Sequence, residues 1–172
     1  MVKQYQYELK PSEADWLIGD QLVSNFLPQV LALRSMKEPG TAYNFGYNKD
    51  PQISHVCQMS QIPPGDHQAV HYLSGIPNKA FYLFANEFTN YSWECAGAVW
   101  YKALQACKPQ SNFSDFVGQT FKAVDNLYEG TCQHGHAQKM LANAWNSVGF
   151  SPQSFIQNKN ADKINRRLSD QP

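Results

Sequence analysis

The chain has 172 residues, the length of one domain that can bury a core of its own. Lysine plus arginine and aspartate plus glutamate both number 14, so the formal net charge is +0 and no basic surface for a nucleic acid or an anionic membrane is indicated. Only 16% of the residues are charged while 13% are aromatic, which predicts apolar surface that a partner could cover.

The first 70 or so residues are predicted to form an irregular, loop-rich layer. Turn-forming sequences occur at Pro39-Gly40 and within residues 44–48, so long helices are not expected here. Prolines interrupt this part of the chain at Pro11, Pro28, Pro39, Pro51, Pro63 and Pro64.

From Tyr72 onward, apolar residues recur at the three and four spacing of amphipathic helices. This spacing predicts a first helix from Tyr72 to about Phe88. Pro77 is compatible with it, because the proline falls in the first turns, where a missing N–H costs least. A second helix is expected to be capped by Ser92 and to continue to about Cys107.

Two more helices are predicted after residue 110. The third begins at Asn112, with Asp115 completing a pair typical of a capping box, and ends before Gly130. The fourth spans about 135–148 and stops at Gly149.

These elements predict a mainly α-helical fold of four or five packed helices after a loop-rich N-terminal segment, with little or no strand. The helical domain is expected to cover residues 14–150 and to follow an N-terminal extension, 1–13. The polar tail, 151–172, is expected to be flexible or to act as a short docking segment.

The four cysteines show no C-x-x-C spacing. Two of them fall within one predicted helix and would lie about 18 Å apart at a rise of 1.5 Å per residue, too far for a disulfide. We expect free, buried thiols at Cys57, Cys95, Cys107 and Cys132.

No run approaches the roughly 20 apolar residues of a membrane-spanning helix, and the first eight residues lack the apolar core of a secretory signal. We therefore expect no membrane partner. The chain as written is expected to be cytoplasmic, and to be secreted if it is a fragment of a longer precursor.

The segment that leads into the first long helix contains the candidate chemistry. Asp66 precedes His71 by five residues, across a turn, so its carboxylate can hold one ring nitrogen while the other points outward as a donor. An imidazolium held in this way suits a developing oxyanion. A histidine before an apolar helix is also often structural, and that alternative remains open.

Several segments, taken in order over roughly residues 14–150, resemble one known family. The His71 segment reads D-x-x-x-V-H-x-x-S-G-I-x-N-K-A, and the N-terminal part contains D-W-x-I-G-D and L-R-S-M followed by P-G-T-A-Y. Further matches lie at 91–94, 100–104, 111–113 and 145–149. Together they resemble the C-terminal helical domain of the thermolysin-like neutral zinc metalloproteases, and are most similar to its protealysin branch.

The resemblance implies roles for four residues. His71 would stabilise the tetrahedral oxyanion, and Asp66 would orient it. Arg34 would bind the substrate carbonyl just past the scissile bond, a role that suits its planar fork of donors, and Leu33 would form a wall of the apolar pocket there. A large apolar residue after the cut is the implied preference. The alternative for Arg34 is a surface arginine or one paired with a carboxylate.

The turn before His71 departs from the family pattern. The family usually has Asn-Gly-Gly where this chain has His67, Gln68 and Ala69. If the turn needs positive φ at the glycine positions, Gln68 and Ala69 would strain or reshape it and affect the placing of His71.

The resemblance implies a zinc enzyme, but these 172 residues contain no H-E-x-x-H, the motif that puts two histidines on zinc and a glutamate beside the attacking water. In the family this motif lies on the preceding domain, and a third ligand lies shortly before the D-W-x-I-G segment. We therefore expect this chain to bind no catalytic zinc by itself and to need a complementary zinc-bearing domain as partner.

Other metal sites are not expected either. Asp15 and Asp20 match calcium-ligand positions of the family, but Leu17 stands where an acid is common. His134 and His136 are two residues apart on a predicted helix, so they point to different faces and form a poor zinc pair.

Three interpretations remain open from the sequence. In the first, the chain is the substrate-binding, oxyanion-stabilising domain of a thermolysin-like zinc endopeptidase and is inactive alone. In the second, it is a free-standing pseudoenzyme that binds a peptide or a protease as an inhibitory or interaction module. In the third, it is a small helical domain without a relevant ligand, which the ordered motifs disfavour.

Overall fold

The helical half of the fold is built from the residues that carry the three and four apolar spacing. The computed structural model describes residues 1–62 and 69–152. Within them the α-helices are α1 (Val2–Gln6), α2 (Asp20–Ser24), α3 (Val70–Leu73), α4 (Gly75–Asn86), α5 (Ala96–Gln105), α6 (Phe113–Tyr128) and α7 (His134–Ser147), and Val56–Gln61 is a 3-10 helix. Four two-residue strands are β1 (Leu17–Ile18), β2 (Arg34–Ser35), β3 (Asn44–Phe45) and β4 (Asn48–Lys49).

Helices α4 to α7 pack around one apolar core: α6 lies against α5 and α7, and α4 contacts the same two helices. Trp145 of α7 is fully buried at its centre and stacks on Trp100, with ring centroids 5.6 Å apart. The indole N–H of Trp145 donates to Thr120 Oγ1 at 3.0 Å, so its polar atom is satisfied inside the core. The predicted mainly helical fold with four or five packed helices is confirmed.

Local capping predicts the start of α6 but not that of α5. Asn112 and Asp115 form a reciprocal capping box, with N···O distances of 2.9 and 3.0 Å, as predicted. The predicted cap at Ser92 is wrong, because α5 begins at Ala96. Ser92 is instead buried, and its hydroxyl donates to the side-chain oxygen of Gln4.

The first long helix is divided where the sequence predicts one continuous element. Ser74 separates α3 from α4, and its hydroxyl donates to the carbonyl oxygen of His71 at 3.0 Å. Pro77 has no N–H with which to bond the carbonyl of Leu73. The missing bond and the hydroxyl contact together account for the break.

The N-terminal layer is loop-rich, as predicted, and is held by two short antiparallel strand pairs. Strand β1 pairs with β2, placing Leu17 opposite Ser35 and Ile18 opposite Arg34. Strands β3 and β4 pair across a turn at residues 46–47.

Helix α1 lies against the helical part of the fold. Gln4 is buried, and the ring of Tyr5 meets that of Trp93 edge-on at 5.2 Å. The boundary placed after residue 13 stays a prediction, and the tail beyond residue 152 lies outside the described residues.

All four cysteines are free thiols, as predicted. Their expected burial is wrong for Cys57 and Cys132, which are exposed because they lie on a surface 3-10 helix and in the turn before α7. Cys95 is buried and its sulfur accepts a hydrogen bond from the Tyr128 hydroxyl at 3.0 Å. No helix in the described parts of the chain has the length and apolar character to cross a membrane.

Candidate functional site

Leu33 is held by its pairing with the first strand. Its N–H donates to the carbonyl oxygen of Ile18 at 2.9 Å, and its side chain, 41% exposed, lies directly over Gly19. A Cβ at Gly19 would come within 2.7 Å of Leu33 Cδ1, and the φ of Gly19 is +74°. Glycine is therefore required at this position both by the backbone and by the leucine that covers it.

Arg34 follows at the start of β2 and is partly exposed. Its Nη1 donates to the carbonyl oxygen of Leu33 at 2.7 Å, which turns the guanidinium along the strand. Across residues 1–62 and 69–152, no carboxylate forms an ion pair with Arg34. Within that part of the chain the guanidinium is not neutralised by an acidic partner.

His71 lies in the short helix α3 with its side chain exposed. Its carbonyl oxygen accepts hydrogen bonds from Ser74 Oγ at 3.0 Å and from Gln52 Nε2 at 3.4 Å. The next carbonyl, that of Tyr72, accepts the N–H of Ile53 at 3.1 Å. The backbone of α3 is thus fixed by residues 52–53, while His71 itself is exposed.

Asp50 and Gln52 were not singled out from the sequence, yet they help to fix the backbone at His71. Asp50 binds the N–H of Gln52, and Gln52 binds the His71 carbonyl. The buried Asp50 carboxylate accepts the backbone N–H groups of Gly40, Ala42 and Gln52 at 3.1, 3.2 and 3.1 Å. Gln52, also buried, donates to Ser74 Oγ at 2.7 Å. The available signal was the Asp-Pro pair at Asp50, since aspartate before a turn commonly accepts nearby backbone N–H groups.

The segment that follows Arg34 and the helix that follows His71 are joined directly. Lys79 of α4 donates to the carbonyl oxygen of Lys37 at 2.5 Å and to the Glu38 carboxylate at 3.0 Å. Gly75, the first residue of α4, lies so close to Pro39 that a Cβ there would be 2.9 Å from that proline's Cβ. Residues from two separate sequence motifs therefore place the two candidate segments side by side.

Asp66 and Gln68 lie outside the described residues, so the role of Asp66 in orienting His71 stays a prediction. The neighbouring position can be compared with the sequence analysis. Ala69 has φ +63° and ψ +23°, the left-handed conformation that favours glycine. The condition stated for this turn, a positive φ at a glycine position of the family, is therefore met at Ala69, immediately before α3.

Replacing Ala69 with glycine is expected to stabilise the fold by about 1 kcal/mol, because it relieves an L-residue held in the left-handed region. Urea unfolding of the two proteins measures the difference. Ala106→Gly serves as the matched control: Ala106 has φ −87°, so glycine there brings no such relief and should not stabilise. Equal or lower stability of Ala69→Gly would show that the turn is not strained.

Asp15 and Asp20 both bind one cation that the chain itself supplies. Lys3 Nζ lies 2.6 Å from Asp15 Oδ2 and 2.7 Å from Asp20 Oδ2. Burial alone would lower the pKa of Lys3 and raise that of Asp20. The hydrogen bonds and charges between the partners outweigh burial, so the pKa of Lys3 is raised and that of Asp20 is lowered.

The donor sets in the described ranges do not fit zinc. His134 Nε2 lies 2.9 Å from Asp125 Oδ1, and the ring of His136 meets that of Phe88 edge-on at 5.9 Å. Over residues 1–62 and 69–152, no group of three or more histidine, cysteine, aspartate or glutamate side chains is placed to hold a metal ion. Arg34 and His71 are side chains that can donate hydrogen bonds. No metal centre is formed by the residues of the two described ranges.

Residues 1–150 match the family model described as thermolysin metallopeptidase, alpha-helical domain. Protease PrtS of Photorhabdus sp. (strain Az29) is 34% identical over 154 residues, which cover 87% of this chain and 40% of that protein. An extracellular metalloprotease of Pectobacterium carotovorum subsp. carotovorum is 36% identical over 152 residues, covering 87% of this chain and 42% of the relative. The chain thus spans about two fifths of the length of these relatives.

A solved structure is also similar. The precursor of protealysin, a metalloproteinase from Serratia proteamaculans, superposes with a TM-score of 0.74 at 34% sequence identity. The match covers 86% of this chain and 45% of that one. Both the sequence and the fold of this chain are therefore similar to a part of longer metalloproteases, and the matched part is less than half of each of them.

Proposed function

The chain belongs to the thermolysin metallopeptidase family as its α-helical domain, and from this premise we propose that it is the substrate-binding and oxyanion-stabilising part of a zinc endopeptidase. The catalytic zinc and the activation of water are assigned to a complementary zinc-bearing domain. More than half of the length of the PrtS and Pectobacterium relatives lies outside the matched part, which leaves room for such a domain.

The observation that carries the proposal is the direct link between the two candidate segments. Lys79 bonds the chain just after Arg34, and Gly75 lets the helix after His71 approach Pro39 closely. Because the folded chain already holds these segments together, the two donors do not have to be brought together when a peptide binds. Such preorganisation favours catalysis.

The chemistry assigned to Arg34 and Leu33 is recognition of the residue after the scissile bond. The guanidinium of Arg34 offers a planar set of donors for the substrate carbonyl at that residue. Leu33, exposed beside it and backed by Gly19, offers an apolar wall for the side chain. Substrates with a large apolar residue after the cut are therefore preferred.

The chemistry assigned to His71 is donation of a hydrogen bond, as an imidazolium, to the oxygen that gains negative charge when the scissile carbonyl is attacked. His71 does not activate water in this scheme. A donor of this kind accelerates the reaction only when an attacking group is supplied, so the chain alone is proposed to be inactive.

The test is to mix the purified chain with the H-E-x-x-H-bearing domain of a thermolysin-like protease and to measure peptide cleavage with and without a chelator. We expect chelator-sensitive cleavage only when both parts are present. Arg34→Lys keeps the charge but removes the planar fork, so it should weaken cleavage, whereas Lys102→Arg, at an exposed position on α5, should not. Absence of cleavage by the mixture, with both parts folded, would contradict the proposal.

A second candidate function is a non-catalytic module that binds a peptide or a protease. The observation that favours it is Ala69, an L-residue in the left-handed conformation where the family usually has glycine. In that case the chain would bind peptide or protease with little change on His71→Ala, and no zinc-dependent cleavage would appear on mixing.

We also propose that the chain acts outside the cell. The Pectobacterium relative and one from Serratia marcescens, 43% identical over 86 residues, are both named extracellular proteases. These relatives give no support to the cytoplasmic location expected from the first residues of the chain.

A further inference from the structure

One ammonium group binds two carboxylates that flank strand β1. Lys3 comes from α1, whereas Asp15 and Asp20 lie just before and just after the strand, and the bonds are 2.6 and 2.7 Å long. The side chains of Lys3 and Asp20 are 29% and 25% exposed, so this pair is partly shielded from water. Two carboxylates on one donor form a small network, which is stronger than an isolated surface pair.

Asp15 also acts on the strand directly. Its Oδ1 accepts the N–H of Leu17 at 3.0 Å, while its Oδ2 binds Lys3. Trp16, which lies between Asp15 and Leu17, has φ +58°, a conformation that is unfavourable for a bulky L-residue. The start of β1 therefore depends on tertiary contacts to keep its shape.

Strand β1 is in turn what positions the proposed substrate-binding residues. The N–H of Leu33 donates to Ile18 O at 2.9 Å, and the N–H of Met36 donates to Trp16 O at 2.9 Å. These two bonds bracket Arg34 on β2. Because each strand has only two residues, a small movement of β1 would move Arg34 and Leu33 with it.

We infer that Lys3 is a positioning residue: its ammonium is a tethered cation that fixes both ends of β1 and so sets the place of Leu33 and Arg34. The role of those two residues in binding substrate rests on the proposed function. The ammonium occupies the point where the two carboxylates converge, so the chain supplies the charge that a bound hard cation would otherwise provide.

Amide hydrogen exchange on the chain alone tests this inference. In Lys3→Gln, which keeps a polar side chain but removes the charge, the N–H groups of Leu33 and Met36 should exchange about tenfold faster than in the wild type. Amides in the core helix α6, such as those of Val124 and Phe121, should keep their protection. Lys3→Arg, which retains a cation able to reach two carboxylates, should restore most of the loss.

Lys102→Gln removes an exposed lysine on α5 and is the matched control, expected to leave every one of these rates unchanged. Unaltered exchange at Leu33 and Met36 in Lys3→Gln would overturn the inference. So would an equal acceleration in α6, because the effect would then be a general loss of stability.

Thermal unfolding with calcium or with a chelator is a second test. The wild-type Tm should be the same in both, since the ammonium already fills the site between Asp15 and Asp20. A calcium-induced rise that disappears in Asp15→Asn would overturn the inference, because the metal would then be displacing Lys3. Neither test needs a zinc-bearing domain or a substrate, so failure here is distinct from failure of the proposed function.

Discussion

Replacing His71 with alanine is expected to lower the chelator-sensitive cleavage of the reconstituted protease by about 10² to 10³-fold. The reason is the loss of one donor to the developing oxyanion, and single donors of this type contribute on that scale. The fall should occur in kcat and kcat/KM alike, because the bond is made in the transition state. Steady-state kinetics on a peptide with an apolar residue after the cut measures it.

His136→Ala is the matched control for this prediction, because His136 is an exposed histidine on α7 that contacts Phe88. It should leave cleavage unchanged. The Tm of both variants is measured alongside, so that a loss of cleavage can be separated from a loss of folding. Full activity of His71→Ala in the mixture would remove His71 from the proposed mechanism.

Replacing Gly75 with alanine is expected to destabilise the fold by about 3 kcal/mol, the upper end of what added volume costs in a well-packed interior. The new Cβ would lie 2.3 Å from the carbonyl oxygen of Ile53 and 2.9 Å from Pro39 Cβ. The first of these is a backbone atom, so the contact is relieved only by moving α4 away from residues 52–53. Urea unfolding gives the free-energy difference.

Gly135→Ala is the control for Gly75→Ala. Gly135 also lies in a helix, but a Cβ there meets nothing within 4 Å. Alanine should leave stability unchanged or raise it by up to about 1 kcal/mol, because it is the better helix former. Equal effects of the two substitutions would show that the close approach at Gly75 is not a constraint.

The helical part of the fold could be predicted because its information is local. Apolar spacing identified the segments that became α4 to α7, and the pair Asn112 and Asp115 marked the start of α6. Ser92 was misjudged because a serine ahead of an apolar run is usually a cap, whereas this one is buried against Gln4, 88 residues away in the chain. No local pattern contains that contact.

For the candidate site too, local sequence patterns predicted some residues and missed those that act through distant contacts. Leu33, Arg34 and His71 were predicted from the motifs around them, which resemble a known family, and their roles stay predictions. Asp50 and Lys3 were missed because they act mainly through residues 8 to 17 positions away, and the sequence pattern does not specify how these segments come together.

The supporting residues explain why the motifs extend beyond the donors. In the His71 segment, Gly75 permits the close approach to Pro39 and Lys79 binds the chain after Arg34. In the D-W-x-I-G segment, Gly19 leaves room for Leu33. The motifs therefore include residues with a structural role. The sequence alone did not distinguish them from the residues to which a chemical role is assigned.

The position of the cut in a defined peptide tests the central claim most directly. A peptide with a single large apolar residue would be digested by the chain together with an H-E-x-x-H-bearing domain, and the products identified by mass spectrometry. We predict cleavage immediately before the apolar residue, abolished by a chelator and absent when either part is omitted. No cleavage by the folded pair, or the same cut by the zinc-bearing domain alone, would contradict the claim that this chain binds the substrate.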